Sequence, residues 1–411
     1  MQIPTDLPLT DATGAVASEV IREIASQLIE KKSPEAGMTA SRKARKSDAF
    51  AGLFAAYADA ADLVAHGFDA CAAVVDSCLT ERTKRPALNL YAGWAGLGWI
   101  TTHLEAQDEF VASHVDRLLF ASLPKWPRRL GYDLISGLVG AGVYFVERLP
   151  NDSAKRGLGL ILDVLDNWSV HTDEGTTWLS PPQFLPAWQR ERAPNGYFNL
   201  GVAHGVPGVC WLLGKIFAAG IEPGRTAGIL RRTLRWLRSN QPDPTVAELA
   251  TWIGPGVERK QHHRMAWCYG PLGASAVALG AARAIGDAES QEWAQELALA
   301  CADVAPQDAG VRDAGLCHGA AGNAQMFLRL YRNSGIAKYG DAALVWLRVT
   351  LDYREPGKGV GGYRMWGETS ANRQGWVDDG SFLTGSAGVG LMLLAMTTEI
   401  EPKWDRLLLL S

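Results

Sequence analysis

LCHGAAGNAQMFL, Leu316 to Leu328, places a cysteine and a histidine directly before two glycines that stand three residues apart. A single Gly-x-x-Gly pair carries little information, because it occurs often by chance. Six such pairs in this chain each lead directly into an apolar run. Their first glycines are Gly93, Gly137, Gly205, Gly270, Gly319 and Gly385. The repetition indicates an internal structural repeat.

The apolar runs that follow the glycines predict buried helices, because they are apolar on almost every side. The segments between them are amphipathic, with apolar residues recurring at three and four, and predict outer helices. Examples are Arg231–Arg238, Gln291–Cys301 and Ala342–Leu351. Glycines at the start of an inner helix permit tight turns and close backbone approach.

Ahead of the first Gly-x-x-Gly, residues 15–31 and 48–64 form one further outer and inner pair, which brings the total to seven. We therefore predict an all-α fold, an (α/α)7 double toroid of seven outer and seven inner helices. An open solenoid is the alternative architecture for such a repeat. We expect a single domain over residues 1–411, with long connecting loops around 172–199, 243–263 and 355–379.

Composition and charge exclude several classes of protein. The 411 residues are 47% hydrophobic and 20% charged, which is a globular composition, and the net charge of −4 lacks the basic footprint of a nucleic-acid binder. No apolar run is long enough to span a membrane, and the N-terminal residues do not have the pattern of a secretory signal. Six cysteines in so long a chain do not predict a disulfide scaffold. We expect a cytosolic protein with reduced thiols.

Aligning the copies on their first glycine brings three potential metal ligands into register. Cys268 and Cys317 both stand two residues before that glycine, and His318 and His204 both stand one before it. Equivalent positions in neighbouring repeats face the same place, so we expect Cys268, Cys317 and His318 to converge. Two thiolates and one imidazole suit Zn²⁺, and three protein ligands leave one position open, as in catalytic sites. The alternative is that all three are ordinary buried residues.

Three polar residues complete the set of candidate site residues. Asp133 lies four residues before Gly137, Arg264 lies four before Cys268, and Tyr269 follows Cys268. We expect them at the same end of the fold, although a surface charge is the alternative for the aspartate and the arginine. The remaining cysteines lie in apolar helical segments and are interpreted as core residues; they are Cys71, Cys78, Cys210 and Cys301.

The segments NLGVAHGVPG, AWCYGPLG and GLCHGAAG resemble the motifs of LanC-type lanthipeptide cyclases, the lanthionine synthetase C-like family. The resemblance extends from about residue 45 to the C-terminus. It implies a seven-fold double ring of helices and one catalytic zinc ion per chain. The family's zinc ligands fall on Cys268, Cys317 and His318. Its catalytic acid/base positions fall on His204, Asp133 and Arg264, with the aromatic beside the metal at Tyr269.

The family reaction adds a cysteine thiol of a precursor peptide to a dehydroalanine or dehydrobutyrine of the same peptide, forming a lanthionine or methyllanthionine thioether. A free thiol has a pKa of about 8.5, and metal coordination removes its proton. His204 is the natural donor of the proton that Cα then needs, because the imidazole pKa lies near neutrality. Asp133 could orient that histidine, and Arg264 could stabilise the enolate oxygen.

The resemblance also implies partners and leaves two other functions open. It implies a dehydrated precursor peptide with a leader, bound in part by the long loops, together with a dehydratase and a transporter of the same antibiotic-biosynthesis pathway. LanC-like relatives that add glutathione to dehydrated residues share the zinc motifs. A non-catalytic, zinc-stabilised peptide-binding scaffold is the third interpretation, and it requires a fourth protein ligand. The location would be cytoplasmic, at most peripheral to a membrane biosynthetic complex.

Overall fold

The computed structural model describes residues 12–30, 49–82, 87–104, 109–257, 261–262, 264–369 and 373–411. Within them the chain forms fifteen α-helices and nine short strands. The helices are α1 (Ala12–Glu30), α2 (Ala49–Ala60), α3 (Gly67–Arg82), α4 (Trp94–His103), α5 (Glu109–Ser122), α6 (Leu138–Glu147), α7 (Asp152–Trp168), α8 (Ala187–Arg192), α9 (Val206–Ala218), α10 (Pro223–Ser239), α11 (Pro271–Ala284), α12 (Ala288–Ala302), α13 (Ala320–Ser334), α14 (Ala337–Asp352) and α15 (Ser386–Thr397).

Six helices begin directly after the first glycine of a Gly-x-x-Gly pair, as the sequence predicts; they are α4, α6, α9, α11, α13 and α15. These inner helices are buried along most of their length, and in α15 every residue from Ser386 to Met396 is buried. Helix α2 has no such glycine pair but is equally apolar. An apolar surface on all sides is stable only when other elements cover it completely.

One compact unit comprises Met1–Arg85 and Gly310–Trp404, and we call it the first unit. In its described part α15 packs against both α2 and α13. The outer helices lie on these: α1 on α15 and α2, α3 on α2, and α14 on α13. Helix α14 turns Trp346 and Leu347 inward, as its amphipathic sequence predicts.

The second unit comprises Pro86–Ala309 and Asp405–Ser411. Its inner helices pack in series, α4 on α6, α6 on α9 and α9 on α11. Each inner helix has an outer partner, α5 for α4, α7 for α6, α10 for α9 and α12 for α11. The last residues of the chain close onto this unit, where the indole of Trp267 donates a hydrogen bond to the Leu408 carbonyl at 2.8 Å.

The long connecting segments contain short antiparallel strands, which the sequence analysis did not predict. They are β1 (Val170–Thr172), β2 (Gly175–Thr177), β3 (Leu179–Ser180), β4 (Tyr197–Asn199), β5 (Leu249–Ala250), β6 (Trp252–Ile253), β7 (Gln261–His262), β8 (Met365–Glu368) and β9 (Gln374–Val377). Strand β4 lies between β3 and β6, with Phe198 opposite both Leu179 and Ile253. This small sheet joins the predicted loops 172–199 and 243–263. None of the described helices combines the length and apolarity that crossing a membrane requires.

The paired glycines are needed because the loop before each inner helix folds back onto its first turn. A Cβ atom at Gly322 would overlap the Leu316 carbonyl oxygen, and one at Gly388 would overlap that of Phe382. At Gly319 the φ angle of −109° is open to any residue, yet a Cβ there would overlap the Gly315 nitrogen. The absent side chain, rather than an unusual dihedral angle, is therefore what these positions require.

Candidate metal centre and proton-transfer site

The loops that lead into the inner helices begin with an aspartate or asparagine whose side chain accepts a hydrogen bond from the backbone. Oδ1 of Asp313 accepts a 2.9 Å hydrogen bond from the backbone nitrogen of Gly315, and Oδ1 of Asp379 accepts one of 2.8 Å from that of Ser381. Asn199 does the same with Gly201, and Asp133 accepts from the nitrogen of Ser136 at 2.7 Å. Such turns hold each loop in a defined shape without regular secondary structure. The candidate site residues lie on these loops.

Cys317 and His318 lie on the loop between Asp313 and helix α13. The backbone nitrogen of Cys317 donates a 2.7 Å hydrogen bond to the carbonyl of Leu383, which lies on the loop before α15. The loop's other end is fixed by the Ala320 nitrogen, which donates to the Asp313 carbonyl at 2.9 Å. Both side chains are partly exposed.

Cys268, Cys317 and His318 form a group that could bind a metal ion. One ligand atom from each residue lies within 4.8 Å of the other two. Cys268 is buried, while the other two are partly accessible. Two sulfur ligands and one imidazole form a soft donor set that fits zinc, and would leave a coordination position for a substrate or water.

Asp313 supports the histidine of this group. Its carboxylate is almost completely buried, and Oδ2 lies 3.9 Å from Nε2 of His318. The same Oδ2 accepts a 3.0 Å hydrogen bond from the backbone nitrogen of Trp366, so the charge is held in place by two backbone donors. At this distance the carboxylate makes no hydrogen bond with the ring, but its negative charge would favour a cation bound by the imidazole.

His204 forms a close pair with Asp133 in the second unit. Nδ1 of His204 lies 2.6 Å from Oδ2 of Asp133, and Oδ1 of the same carboxylate accepts from Ser136. Burial by itself lowers the pKa of His204, but the hydrogen bond and charge of Asp133, with a smaller contribution from Cys268, outweigh it and raise the pKa above its ordinary value. The pair holds Nδ1 as the donor and leaves Nε2 for a ligand.

Tyr269 stacks on the His204 ring, with the ring centroids 6.2 Å apart. Its hydroxyl accepts a 3.1 Å hydrogen bond from Nδ2 of the fully buried Asn199. Burial raises the pKa of Tyr269 by more than this hydrogen bond lowers it, so the pKa lies above its ordinary value and the phenol stays protonated. A Cβ at Gly201 would collide with the tyrosine ring, so glycine at this position allows the ring to lie flat against the loop.

Arg264 is placed differently from the other candidates. Its side chain is exposed, and it is not among the residues that line the cavity described next. The backbone around it is ordered, since the Met265 nitrogen donates to the Ala309 carbonyl at 2.9 Å. The structure therefore brings Asp133, His204 and Tyr269 together on the cavity wall, and Arg264 is not among the residues that line it.

A cavity of about 1040 Å³ opens beside the Asp133–His204 pair, entirely within the second unit. Asp133, His204 and Tyr269 line one part of it. The predicted loops 172–199 and 243–263 supply much of the remaining wall, through residues of β3, α8 and β6 and their neighbours. This volume lies at the upper end of the usual range for a ligand site, about 300–1,000 Å³, and leaves room for a ligand of several residues.

The other four cysteines are buried core residues, as the sequence predicts; they are Cys71, Cys78, Cys210 and Cys301. Burial raises the pKa of the Cys210 and Cys301 thiols, which keeps them protonated and unreactive.

The fold is mostly helical, with inner helices paired to outer ones, and it carries a Cys-Cys-His group that could bind a metal ion. The family model for "Lanthionine synthetase C-like protein" matches residues 46–409, and the chain therefore belongs to the lanthionine synthetase C-like family. The predicted family membership is confirmed.

Two solved structures resemble this fold. The structure titled "Nisin cyclase" matches with a TM-score of 0.74 and 18% sequence identity, over 95% of this chain and 96% of that one. A sugar epimerase from a ruminal bacterium matches with a TM-score of 0.51 and 12% identity, over 95% of this chain and 100% of that one. At these identities the likeness concerns the fold, which is the LanC-like helical toroid that the repeat predicts.

The sequence analysis missed Asp313, the carboxylate behind His318. A signal for it was present, because Asn199, Asp313 and Asp379 all stand six residues before the first glycine of their copy. The sequence analysis predicted the long loops around 172–199 and 243–263 as peptide-binding segments, but it did not name the individual residues that line the cavity.

Proposed function

We propose that this chain is a zinc-dependent lanthipeptide cyclase, which adds cysteine thiols of a precursor peptide to its dehydroalanine or dehydrobutyrine residues. The observation that carries the proposal is the Cys268–Cys317–His318 group in a chain of the lanthionine synthetase C-like family. These three residues would hold one zinc ion. Bound there, zinc would supply the Lewis acidity that lowers the pKa of a substrate thiol.

The overall reaction conserves atoms and needs no oxidant or reductant. A bond forms between the cysteine sulfur and Cβ of the dehydrated residue, the carbon–carbon double bond is lost, and a proton ends on Cα. The protein must therefore hold the two reacting residues together, exclude water, and supply one proton at Cα. The cavity beside His204 would serve the first need in part, by holding the peptide next to the proposed proton donor.

His204 is the residue proposed to supply the proton. Its Nδ1 is held by Asp133 at 2.6 Å, which aims Nε2 away from the carboxylate, and His204 itself lines the cavity. The Asp133 charge stabilises the imidazolium from which a proton leaves, as in other carboxylate–histidine pairs. Tyr269, stacked on the ring and protonated, keeps the imidazole in one plane.

Arg264 keeps only the role that the family resemblance implies for it, stabilisation of the enolate oxygen. A substrate peptide that extends beyond the cavity would have to reach its exposed side chain. The dehydrated precursor, its leader, and a dehydratase acting earlier are likewise proposals from the family. Because the reaction consumes dehydrated residues, a dehydration must precede it.

The test uses a synthetic peptide that contains one cysteine and one dehydroalanine. Cyclisation leaves the mass unchanged, so the readout is the loss of an alkylatable thiol, with fragmentation to locate the thioether. We expect about one zinc per chain and cyclised product with the wild type, and neither with Cys317→Ala. The matched control is Cys301→Ala, which removes a buried thiol outside the group and should keep both zinc and activity.

Other results would contradict the proposal or part of it. If wild-type protein contained no zinc after purification in zinc-supplemented buffer, the proposed metal centre would be contradicted. A peptide that gains the mass of one glutathione, when glutathione is added, would identify a glutathione-adding enzyme. Zinc binding with peptide binding but no conversion would indicate a scaffold. Full cyclisation by a zinc-loaded His204→Ala variant would refute the role of that histidine.

A further inference from the structure

Residues Asp405–Ser411, which we call the tail, belong to the second unit. Four successive leucines of the tail, Leu407 to Leu410, have relative exposures of at most 8%. A short segment that is buried so completely must find hydrogen-bond partners for its backbone groups. The tail is therefore part of the core of the second unit, and its partners show what it holds.

Three aromatic side chains of the second unit each donate a hydrogen bond to a tail carbonyl; the donor and acceptor residues are Tyr91 and Leu407, Trp267 and Leu408, and Trp211 and Ser411. The bond from the Trp267 indole is 2.8 Å long and buried. An indole N–H can only donate, so a buried tryptophan that loses its acceptor pays the full cost of an unsatisfied polar group. The position of Trp267 is therefore coupled to that of the tail.

The backbone of Leu409 lies in the left-handed region, with a φ of 61°. A residue with a Cβ rarely adopts this conformation, which persists only where the surrounding contacts impose it. The Leu409 nitrogen donates to the Arg406 carbonyl at 3.0 Å, which closes a turn within the tail. The tail is thus held in one defined shape, and a residue that cannot take a positive φ at position 409 would change that shape.

Trp267 connects the tail to a candidate metal ligand, because Cys268 follows it directly. The backbone of Trp267 lies against the first turn of α11, where a Cβ at Gly273 would overlap the Trp267 carbonyl oxygen. Its side chain is almost completely buried and donates to the Leu408 carbonyl. The residue is therefore fixed through its backbone by a helix and through its side chain by the tail.

The tail also contacts the helix that follows His204. Cδ1 of Leu409 lies 3.5 Å from the position that a Cβ would take at Gly208, in the first turn of α9. The loop before α9 is joined to the loop of Cys268, since the Ala203 nitrogen donates to the Cys268 carbonyl at 3.4 Å. One short segment thus supports two neighbouring loops that carry candidate site residues.

We propose that the tail is a positioning element of the candidate metal centre, which holds Cys268 in place through the hydrogen bond between Trp267 and Leu408. Metal sites tolerate ligand displacements of only about 0.2 Å, so the support behind a ligand affects the affinity for the ion. The tail supplies no ligand itself and acts through Trp267 alone. The inference rests on the proposed function, because it concerns the zinc ion that the proposed cyclase requires.

The test compares two substitutions of the same kind. Trp267→Phe removes the indole that donates to the tail and keeps an aromatic ring. Trp293→Phe is the matched control, because the Trp293 indole is also buried and donates at 2.9 Å to the carbonyl of Gln241, which does not belong to the tail. We expect both variants to have a lower Tm than the wild type, since each loses one buried hydrogen bond.

The zinc affinity should separate the two variants. We expect it to fall about tenfold or more in Trp267→Phe and to keep the wild-type value in Trp293→Phe, because residues that support a metal ligand commonly change the affinity about 10- to 100-fold. Competition with a chelator measures this. The absorption spectrum of the cobalt-substituted protein reports the coordination geometry. Its bands should shift only in Trp267→Phe, whereas a loss of stability alone would not move them.

A further readout needs no metal. In the metal-free protein, the rate at which iodoacetamide alkylates Cys268 reports how firmly its loop is held, because this thiol is buried. Cys301, a buried thiol of α12, reports general unfolding in the same sample. We expect the rate for Cys268, relative to that for Cys301, to rise severalfold in Trp267→Phe and to stay unchanged in Trp293→Phe.

Leu409→Pro changes the tail itself. Proline fixes φ near about −65° and cannot keep the angle of 61° that Leu409 has. We expect this variant to lose zinc affinity as Trp267→Phe does, and the double variant to be no weaker than the weaker single one, because both changes break the same connection. Leu409→Ala, which removes only the contact with Gly208, should act in the same direction and serves where the proline variant does not fold.

Two results would overturn the inference. The first is a cobalt spectrum and a Cys268 alkylation rate that are the same in Trp267→Phe and Trp293→Phe. The second is full additivity in the double variant, which would show that Trp267 acts through its own packing and not through the tail. Failure of the proposed function gives a different pattern, because a wild type that binds no zinc contradicts the metal centre while the alkylation rates still decide the role of the tail.

Discussion

The candidate site residues lie on the loops before the inner helices, where neighbouring side chains and backbone groups hold them in place. Asp313 shows this most clearly. It is buried, accepts hydrogen bonds from the nitrogens of Gly315 and Trp366, and presents Oδ2 to His318 at 3.9 Å. A fixed negative charge beside an imidazole makes the imidazole a better metal ligand.

Replacing Asp313 by asparagine should therefore weaken zinc binding. The amide side chain of the variant would retain an oxygen acceptor for the loop but lose the charge, so we expect the zinc affinity to fall about 10- to 100-fold. Competition with a chromogenic chelator measures that affinity directly.

Asp379→Asn is the matched control for this prediction. Asp379 occupies the same position in its own loop, where its oxygens accept from the Ser381 nitrogen and the Thr384 hydroxyl. Its substitution tests the turn without touching the Asp313 carboxylate. Equal loss of zinc affinity in both variants would show that loop shape, rather than the charge beside His318, determines binding.

At the scale of elements, each inner helix and the loop before it form one interlocked unit. The helix supplies glycines at its start and one turn later, and the loop's carbonyls lie against them. Close packing leaves no room for even one added methyl group at these points. The position of Cys317 and His318 therefore depends on Gly322, which contacts the Leu316 carbonyl and binds no ligand itself.

Gly322→Ala should displace the Leu316–His318 loop, because the new Cβ would overlap backbone atoms that cannot rotate away. We expect a destabilisation of about 1–3 kcal/mol, with a lower Tm and less than one zinc per chain. Differential scanning calorimetry and elemental analysis check the two effects.

Gly280→Ala provides the comparison. Gly280 is an exposed residue of the inner helix α11. Apart from the backbone of that helix, no atom lies within 4 Å of the position that a Cβ would take there. Alanine there should be neutral or stabilise the protein by up to about 1 kcal/mol through helix propensity. If both glycine variants behaved alike, close packing of the loop would not be the reason for the glycine.

At the scale of the whole molecule, stability depends on contacts between parts of the chain that are far apart in sequence. In the second unit, Glu147 at the end of α6 lies 2.8 Å from Nδ1 of His103 at the end of α4. Arg406, near the C-terminus, donates to both oxygens of the same carboxylate. Burial raises the pKa of Glu147, but the hydrogen bonds and charges of His103 and Arg406 outweigh it, and the pKa lies below the ordinary 4.5.

A depressed carboxylate pKa has a definite consequence for stability. The folded protein binds the Glu147 proton less readily than the unfolded chain, so this residue stabilises the fold fully above about pH 4.5 and the contribution is lost as the pH falls through the folded pKa. We expect Glu147→Gln to have a lower Tm than the wild type at about pH 7. The difference should shrink steadily as the pH is lowered below about 4.5.

Thermal unfolding followed by circular dichroism across that pH range checks this prediction. Glu296→Gln, an exposed substitution on the outer helix α12, controls for the loss of one negative charge. A Tm difference for Glu147→Gln that stayed constant from neutral to acid pH would show that packing, and not ionisation, is responsible.

Much of the fold and part of the candidate site could be predicted from local sequence. The apolar runs after the glycines specify buried helices, and the amphipathic segments specify helices with one covered face, because both patterns act through neighbours a few residues apart. Because the helix pairs repeat, the sequence also predicted how they are arranged in the fold. Alignment of the repeats then indicated Cys268, Cys317 and His318 as metal-ligand candidates. These three residues could be predicted from the sequence because equivalent positions in a repeat occupy equivalent places in the fold.

The family resemblance suggested that Asp133 could orient His204, and the tertiary structure shows how the two residues meet. They are 71 residues apart in sequence, and their pairing depends on the packing of α6 against α9. Asp313 lies behind His318 because its loop turns back on itself. The arginines and tryptophans of the cavity come from separate elements, among them α7, α8 and β6, which no repeat brings into register. Such contacts are set by backbone paths and side-chain packing across the fold, and no short-range pattern encodes them.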